Sequence, residues 1–289
     1  MDQSAKQDVN QTLEARYQRL QEILRSYKKV IVAYSGGVDS TFLLKAALDC
    51  LGRENVLACM GQSESLAQRE QQHAVDIAQQ LGAELRLVYP REMDNPEYRS
   101  NPPQRCYYCK VELYKLLKDL AEQLGYEAVL CGTNADDLSD FRPGLKAAQQ
   151  WDVRSPLEEA RLSKDDIRTL SKKLGLATWD KPAQPCLASR MAYGLEITPE
   201  RLKQIEEAEE FLRGMGFQQL RVRHHGNLVR IEVPAEKIAE LLHDHQREQI
   251  AAFFKKRGFT YVSVDLEGFR SGSGNETLLS AENNLSPAK

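Results

Sequence analysis

A short glycine-containing segment holds the first residues whose types and spacing indicate chemistry. It reads SGGVDS over residues 35–40 and follows a Val- and Ile-rich run at 29–34, which predicts a buried strand before the turn and a helix after it. Such a turn directs backbone N–H groups and the positive helix end toward one point, which favours a phosphate or pyrophosphate. The lysine that precedes the Ser/Thr of a Walker loop is missing. A plain tight turn with a serine cap is the alternative.

Asp39 places a carboxylate inside this phosphate-binding segment. Two anions side by side are unfavourable unless a cation lies between them, so we assign Asp39 to Mg²⁺-assisted handling of pyrophosphate.

A second polar turn, GTNADD, begins at Gly132 and ends at Asp137, directly after another apolar run. Because it also follows a predicted strand, we expect it at the same edge of the sheet, where it could hold a nucleotide and Mg²⁺. A solvated turn is the alternative.

Three cysteines lie in polar, aromatic or Pro-rich surroundings, namely Cys106, Cys109 and Cys186. The spacing Cys106-x-x-Cys109 is that of half a zinc site, but no second pair exists. It also suits a redox dithiol at a helix start. Three thiolates around an iron–sulfur cluster would leave one iron open to a substrate sulfur, which is the third interpretation. Unrelated surface thiols are the fourth.

Cys186 opens the stretch Cys186-Leu187-Ala188-Ser189-Arg190, which lies on a Pro-rich loop. An arginine close to a cysteine lowers the pKa of the thiol and favours the reactive thiolate. Arg190 could instead bind a phosphate in bidentate fashion, or do both. A structural cysteine in a proline turn is the plain alternative.

Arg221 and Arg223 lie two residues apart on a predicted strand, so they share one face. Two guanidinium groups on one face suit the phosphate of a nucleotide substrate. A surface charge pair with Glu232 explains them equally well. Upstream, we interpret the acidic residues of segment 206–210, Glu209 among them, as a solvated helix face.

The elements that must position these residues alternate along the first two thirds of the chain. Apolar runs predict strands at 29–34, 55–60, 84–89 and 128–131, and helical spacing predicts a leading helix at 9–27 and others at 67–81 and 106–124. This alternation is typical of an α/β fold, a parallel sheet with helices on both faces. A turn at 140–144 and a capped helix beginning at Ser163 come next.

Beyond Gly194 the pattern changes to that of a small α+β domain. We predict a helix from 198, a hairpin that turns at Gly226, a helical segment at 235–257 broken near His245, and a last strand at 261–266. The chain is therefore divided into a domain at 1–194, a domain at 195–270, and a polar tail at 271–289 that we expect to be flexible.

Composition narrows the class of protein. The 289 residues are 42% hydrophobic and 28% charged, with a formal net charge of −3. No apolar run reaches the roughly 20 residues of a membrane span, and the polar start lacks a signal-peptide core. We therefore expect a cytoplasmic protein without a membrane partner, whose six cysteines do not form disulfides.

The motifs occur together in an order that resembles a known family. In chain order they are SGGVDS, CYYC, GTNADD, DFRPG, VRSPL, WDKPAQPCLASR and RVRHHG. SGGVDS resembles the PP-loop of the ATP pyrophosphatase superfamily, whose members split ATP into AMP and pyrophosphate. The whole set resembles the LarE family of ATP-dependent sulfur transferases, which build the nickel-pincer cofactor of lactate racemase. The resemblance extends over about residues 10–270.

The resemblance implies a PP-loop α/β domain and a definite reaction. ATP would adenylate the carboxylates of pyridinium-3,5-biscarboxylic acid mononucleotide, and sulfur would displace AMP to give the bis-thiocarboxylic acid. It implies ATP and Mg²⁺ as cofactors, this small-molecule nucleotide as substrate, and a homo-oligomer. Family members with one loop cysteine sacrifice it and leave dehydroalanine, whereas those with an added CxxC hold a 4Fe-4S cluster. This chain is similar to the second group.

The resemblance also implies a role for individual positions. It implies that Asp39, Cys106, Cys109 and Cys186 are catalytic. It also implies that the three cysteines are the ligands of the cluster. As residues that bind ATP or substrate it implies Ser35, Gly36, Gly37, Asp39, Ser40, Gly132, Asp137, Ser189, Arg190, Arg221 and Arg223. Whether Cys186 is a cluster ligand or a sacrificed sulfur donor stays open at this point.

Three other functions share parts of the pattern. A tRNA thiolation enzyme uses the same adenylation chemistry, but it needs a basic surface, and residues 197–270 hold equal numbers of basic and acidic residues. We therefore expect no nucleic-acid partner. An amide-forming ligase such as an NAD or GMP synthase would leave the three cysteines unexplained. A non-catalytic nucleotide-binding protein would not need the acidic residues of both glycine turns.

Overall fold

The computed structural model describes residues 12–139 and 143–278, which form two compact units. The described residues of the first unit are those up to 63, 68–92 and 106–184, and those of the second are 64–67, 93–105 and 185 onward. The segments 64–67 and 93–105 thus belong to the second unit, although residues of the first unit follow each of them in the chain. The predicted domain limits at 194 and 270 follow the chain in simple order, and they remain a prediction.

The first unit is built on a four-stranded sheet in which all neighbouring strands are parallel. The strands are β1 (Val30–Ala33), β2 (Val56–Gly61), β3 (Glu84–Val88) and β4 (Ala128–Cys131), in the order β3-β2-β1-β4. Val30 lies beside Val56 on one side and Ala128 on the other. The α/β prediction is confirmed. Since the strands run in one direction, their carboxyl ends meet at one edge of the sheet.

Helices follow and connect these strands. In chain order the described helices are α1 (Leu13–Arg25), α2 (Val38–Leu51), α3 (Gln68–Gln80), α4 (Pro96–Arg99), α5 (Arg105–Leu124), α6 (Pro143–Gln150), α7 (Pro156–Glu159), α8 (Lys164–Lys173), α9 (Pro199–Gly214), α10 (Ile238–Leu241) and α11 (Asp244–Lys256). The predicted cap of α8 is present: the Ser163 hydroxyl accepts from the Asp166 amide at 3.1 Å, and the Asp166 carboxylate accepts from the Ser163 amide at 2.9 Å. None of the described helices has the length and apolar character needed to cross a membrane.

Both faces of the sheet are buried along β1, β2 and β4. On one face, Ile31 and Val129 belong to a hydrophobic cluster with Leu117 of α5. Their alternating neighbours Val30 and Leu130 point to the opposite face and are equally inaccessible to solvent. Strands that are apolar at every position, as β1 and β4 are, require cover on both sides. The predicted arrangement, a parallel sheet flanked by helices, is therefore the one observed.

The second unit contains a smaller three-stranded sheet in the order β5-β6-β7. Its strands are β5 (Arg221–His225), β6 (Leu228–Glu232) and β7 (Tyr261–Val264). β5 and β6 form the predicted antiparallel hairpin, and Gly226 in the turn has φ +78°, a conformation that favours glycine. β7 pairs parallel to β6 after the helices α10 and α11. Leu212 of α9, Val222 and Phe254 contribute to the core of this unit.

Several predicted boundaries differ from the observed ones. The helical segment 235–257 is interrupted between Leu241 and Asp244, close to the predicted break near His245. The leading helix begins at Leu13, and residues 9–11 lie outside the described residues. The predicted turn at 140–144 falls largely on residues 140–142, which are also outside them. The tail prediction is wrong at Ser273, which is buried and donates a hydrogen bond to Glu232 at 2.8 Å.

Candidate functional site

The glycine segment lies where the sequence predicts it, between β1 and α2. Gly36 has φ +69°, and a Cβ atom there would lie 2.4 Å from the Cβ of Ala74 in α3. Glycine is thus required at this position by backbone conformation and by the close approach of a neighbouring helix. Gly37 is the N-cap residue of the 14-residue helix α2 and provides no side-chain cap. The first amides of α2 are consequently available to an anion at the sheet edge.

Two serine hydroxyl groups hold the segment in shape. Ser40 Oγ accepts a hydrogen bond from the Ser35 amide at 3.2 Å and lies 3.0 Å from Ser35 Oγ. Both side chains belong to residues that the sequence assigned to phosphate binding. The contacts close the turn on itself around Gly36 and Gly37. This geometry fits a phosphate group, as the sequence predicts.

The second polar turn lies directly against the first. A Cβ atom on Gly132 would be 2.9 Å from the backbone nitrogen of Ser40, so only glycine allows β4 to end this close to α2. Asn134 then reaches Asp39 with a long hydrogen bond from Nδ2 to Oδ1 of 3.5 Å. Asp137 accepts from the Asn134 amide at 3.1 Å and thereby shapes the turn. The predicted meeting of the two turns at one sheet edge is confirmed, and direct ligand binding by Asp137 stays a prediction.

An oxygen donor is present at this edge for the Mg²⁺ that the sequence implies. Asp39 contributes a carboxylate that is partly accessible, whereas Asn134 directs its Nδ2 toward that carboxylate and its Oδ1 accepts from the Asp136 amide at 3.0 Å. Carboxylate oxygens are ligands that Mg²⁺ takes together with substrate phosphates. Asp39 therefore fits the ion, which would neutralise phosphate charge when bound.

Two lysines at the loop were missed by the sequence analysis. Lys164 Nζ lies 2.5 Å from Asp39 Oδ2. Lys181 Nζ donates to the carbonyl oxygen of Gly36 at 3.2 Å and pairs with Glu70 at 2.9 Å. The sequence signals were present but were interpreted otherwise, since Lys164 follows the Ser163 cap and Lys181 belongs to the Pro-rich WDKPAQPC stretch. Both lysines are more than a hundred residues from the segment they contact.

Two of the three cysteines predicted to act together lie on α5. Cys106 is exposed and Cys109 is half-buried, and their spacing places them on one helix face. Cys186 is half-buried at the start of a short 3₁₀ turn, Leu187–Arg190, and belongs to the second unit. Within the described residues no group of three or more His, Cys, Asp or Glu side chains is arranged to hold a metal ion. The predicted 4Fe-4S cluster is thus not supported by the structure.

The loop that carries Cys186 is held by a buried arginine. Arg190 is 3% exposed and forms an ion pair with Glu209 of α9 at 3.0 Å. Its Nη1 also donates to the carbonyl oxygens of Pro185 and Cys186. Ser189 Oγ donates to the same Cys186 carbonyl at 2.7 Å. These contacts fix the backbone at Cys186. The predicted binding of a ligand by Ser189 and Arg190 remains a prediction.

Glu209 corrects the interpretation of segment 206–210 as a solvated face. Its carboxylate is 2% exposed, pairs with Arg190 and Arg213, and accepts from the Val222 amide at 3.3 Å. Burial by itself would raise the pKa of Glu209, but the charge and hydrogen bonds of Arg190, together with the charges of Arg213 and Arg221, outweigh burial and lower it. The carboxylate therefore stays ionised inside the unit, and the helix periodicity alone could not reveal its partner.

The arginine pair on β5 is buried and has internal partners. Arg223 forms two 3.0 Å contacts with Glu232 and donates to the Ser189 carbonyl at 3.1 Å. The charge pair with Glu232 that the sequence offered as an alternative is thus real, although it is internal. Burial, together with the positive charge of Arg190, lowers the pKa of Arg221 to about 10. The carboxylate of Glu209 acts in the opposite direction, and the role of Arg221 in binding a substrate phosphate stays a prediction.

Gly36 is required both by its positive φ and by the close approach of Ala74, so replacing it should reduce stability and activity. Gly36→Ala should lower the free energy of unfolding by about 3 kcal/mol, because it adds left-handed strain and a clash with Ala74. It should also abolish ATP turnover. Gly175→Ala is the matched control, since Gly175 has the same φ of +69° but open space around its Cα. Urea unfolding and pyrophosphate release measure both effects, and equal destabilisation in the two variants would contradict the packing argument.

Comparison with known proteins agrees with this geometry. A model of the NAD synthase family matches residues 10–94, which include β1 and the glycine segment. The chain is 40% identical over 273 residues to the pyridinium-3,5-bisthiocarboxylic acid mononucleotide synthase of Lactiplantibacillus plantarum, covering 94% of this chain and 98% of that protein. An uncharacterized protein of Synechocystis sp. is 46% identical, with 92% of this chain and 99% of that protein covered. Another, of Methanocaldococcus jannaschii, is 34% identical, with 84% and 92% covered.

These relatives match nearly the whole chain, both units included, and not only the glycine segment that many ATP-using enzymes share. The chain is an ATP-using enzyme that belongs to the LarE family, the family of the Lactiplantibacillus plantarum synthase.

Proposed function

We propose that this enzyme converts pyridinium-3,5-biscarboxylic acid mononucleotide into the bis-thiocarboxylic acid mononucleotide at the expense of ATP. The observation that carries the proposal is the 40% identity, over 94% of the chain, to a protein named as the synthase of that product. The glycine segment supports the ATP-dependent half of the reaction. A carboxylate oxygen is a poor leaving group, so activation must precede its replacement by sulfur.

The first unit is assigned to activation. A substrate carboxylate oxygen would attack the α-phosphorus of ATP, and the bond from that phosphorus to the bridging oxygen would break as pyrophosphate leaves. The amides around Gly36 and Gly37 and the start of α2 are suited to the departing pyrophosphate. Asp39 would hold the Mg²⁺ that neutralises phosphate charge. Gly132 keeps both turns in contact.

The second unit is assigned to substrate binding and sulfur delivery. Arg221 is buried close to Arg190 and Arg223, and guanidinium groups favour the phosphate of a mononucleotide. Cys186 lies on a loop whose backbone is fixed by Arg190 and Ser189, which suits a sulfur atom that must be delivered to one place. We assign the sulfur chemistry to Cys186 and, from α5 in the first unit, to Cys106 and Cys109 as well. The proposal commits to these thiols and does not require the 4Fe-4S cluster.

The test is a reconstitution with the named substrate. The purified enzyme, prepared without oxygen, is incubated with the dicarboxylate mononucleotide, ATP, Mg²⁺ and sulfide, and products are followed by mass spectrometry and pyrophosphate release. We expect AMP, pyrophosphate and replacement of carboxylate oxygen by sulfur, all absent in Asp39→Asn. Pyrophosphate release that does not depend on the mononucleotide would contradict the proposal. Sulfur transfer to tRNA instead would favour the thiolation alternative.

A further inference from the structure

One face of α8 organises the cations at the glycine segment. Lys164, Arg168 and Lys172 are spaced four residues apart, so they lie along one side of this helix. Lys164 reaches Asp39 at 2.5 Å. Arg168 donates to the carbonyl oxygens of Trp179 and Lys181 at 2.7 and 2.9 Å, which fixes the loop that carries Lys181. One helix thus positions both lysines that the segment 35–40 contacts.

The segment lacks the lysine that a Walker loop carries within its own sequence. We propose that Lys164 and Lys181 supply this positive charge from a distance and bind the pyrophosphate of ATP, with Arg168 as the residue that positions Lys181. The inference rests on the proposed use of ATP at this site. As the bond between the α-phosphorus and the bridging oxygen breaks, the pyrophosphate keeps the electron pair and gains negative charge. Two ammonium groups beside it stabilise that charge.

The contacts of the two ammonium groups are compatible with this role. An ammonium has three donors. Asp39 takes one from Lys164, while Gly36 and Glu70 take two from Lys181, so each lysine keeps a donor for a phosphate oxygen. Lys181 is the more enclosed, with a side chain 14% exposed against 35% for Lys164. The carboxylates therefore hold the cations in place before the ligand arrives.

The experiment measures binding of inorganic pyrophosphate and of ATP to the full-length enzyme by calorimetry, without the mononucleotide or sulfide. Lys181→Met and Lys164→Met should each weaken pyrophosphate binding about 10- to 100-fold, the loss of one charge-assisted hydrogen bond. Arginine at either position should restore part of the affinity. Lys45→Met is the matched control, because Lys45 also pairs with a carboxylate at 2.5 Å, but that carboxylate is Asp49, one turn further along α2. It should bind as the unaltered enzyme does.

Arg168 is tested through its coupling to Lys181. Arg168→Ala should weaken pyrophosphate binding in the unaltered enzyme and have no added effect when Lys181 is already Met. Lys172→Ala, one turn further and over the Trp179 ring at 4.5 Å, should change neither. A purely structural role for Arg168 would instead lower the thermal midpoint equally in both backgrounds and leave the coupling at zero.

The outcomes separate this inference from the proposed function. Tight pyrophosphate binding that survives both Met substitutions, in variants with an unchanged circular dichroism spectrum, overturns the inference. So does an unaltered enzyme that binds no pyrophosphate. Weakened binding in both variants supports it, even if the reconstitution with the dicarboxylate mononucleotide gives no thiocarboxylate. That last result would overturn only the substrate assignment.

Discussion

Replacing Cys186 with alanine should abolish thiocarboxylate formation while pyrophosphate is still released. The reason is the division of labour between the two units. Activation is assigned to the glycine segment, which lies in the first unit, whereas Cys186 belongs to the second. Loss of the thiol removes the sulfur step without touching Asp39. We expect no detectable thiocarboxylate product. Because the thiol takes part in bond formation, its loss should lower the rate of product formation by at least about 10³-fold.

The Cys186→Ala variant should remain folded, which makes the result interpretable. Arg190 and Ser189 hold this loop by donating hydrogen bonds to the Cys186 backbone carbonyl, and alanine keeps that carbonyl. Cys50→Ala is the matched control, because Cys50 is also a half-buried cysteine but lies on α2. It should retain full activity. Repeated turnover to product by Cys186→Ala would contradict the assignment.

The sulfur source is then identified by two measurements on the same preparation. The first is iron and acid-labile sulfide content after purification without oxygen. About four irons per chain, lost when any one of Cys106, Cys109 or Cys186 is replaced, would make these cysteines cluster ligands. The second is the mass of the peptide that contains residue 186 after turnover. Dehydroalanine there, with no iron, would make Cys186 a donor used once.

The sequence predicted the glycine segment well because its causes are local. The apolar run before Ser35, the glycines and the helical spacing after Val38 lie within a few residues of one another, and each has a direct effect on backbone conformation. The second turn at Gly132 was placed correctly as well. Parallel strands share their carboxyl edge, so a residue that follows β4 must lie close to one that follows β1.

The parts that were missed depend on tertiary packing. Lys181 contacts Gly36 across 145 positions of the chain, and no local pattern reports that contact. Glu209 lies among acidic residues of an amphipathic helix, and its burial depends on Arg190, which arrives from a separate loop. Periodicity reveals which face of a helix is apolar. It does not reveal that a charged residue at the edge of that face, such as Glu209, forms an ion pair with a residue from another element.

Glu209 is also where the largest loss of stability is expected. Glu209→Ala removes the carboxylate from between Arg190 and Arg213 and leaves the Arg190 guanidinium buried at 3% exposure without its counter-charge. Breaking a buried pair on one side costs about 3–5 kcal/mol. The Val222 amide, which donates to the same carboxylate, loses its acceptor too. Urea unfolding of the full chain, followed by circular dichroism, measures the change.

The neighbouring residue Glu210 is a matched control. It lies on the same helix and also pairs with Arg213, at 2.6 Å, but its side chain is 46% exposed. Exposed pairs contribute about 0–1 kcal/mol, so Glu210→Ala should change the free energy of unfolding by less than about 1 kcal/mol. Similar destabilisation by the two substitutions would show that the burial of Glu209 contributes nothing beyond a surface ion pair.

The dependence on pH distinguishes a charge effect from a loss of packing. Although burial opposes it, Arg190 lowers the pKa of Glu209 in the folded state below the ordinary value of 4.5. A depressed folded-state pKa stabilises the protein above the unfolded-state value, and that contribution is lost as the pH falls below about 4.5 through the folded-state pKa. The difference in unfolding free energy between the unaltered enzyme and Glu209→Ala should therefore be constant near neutral pH and shrink in acid. A difference that does not change with pH would assign the effect to lost packing. A shrinking difference would establish that the ionised carboxylate, held by Arg190, stabilises the loop that carries Cys186.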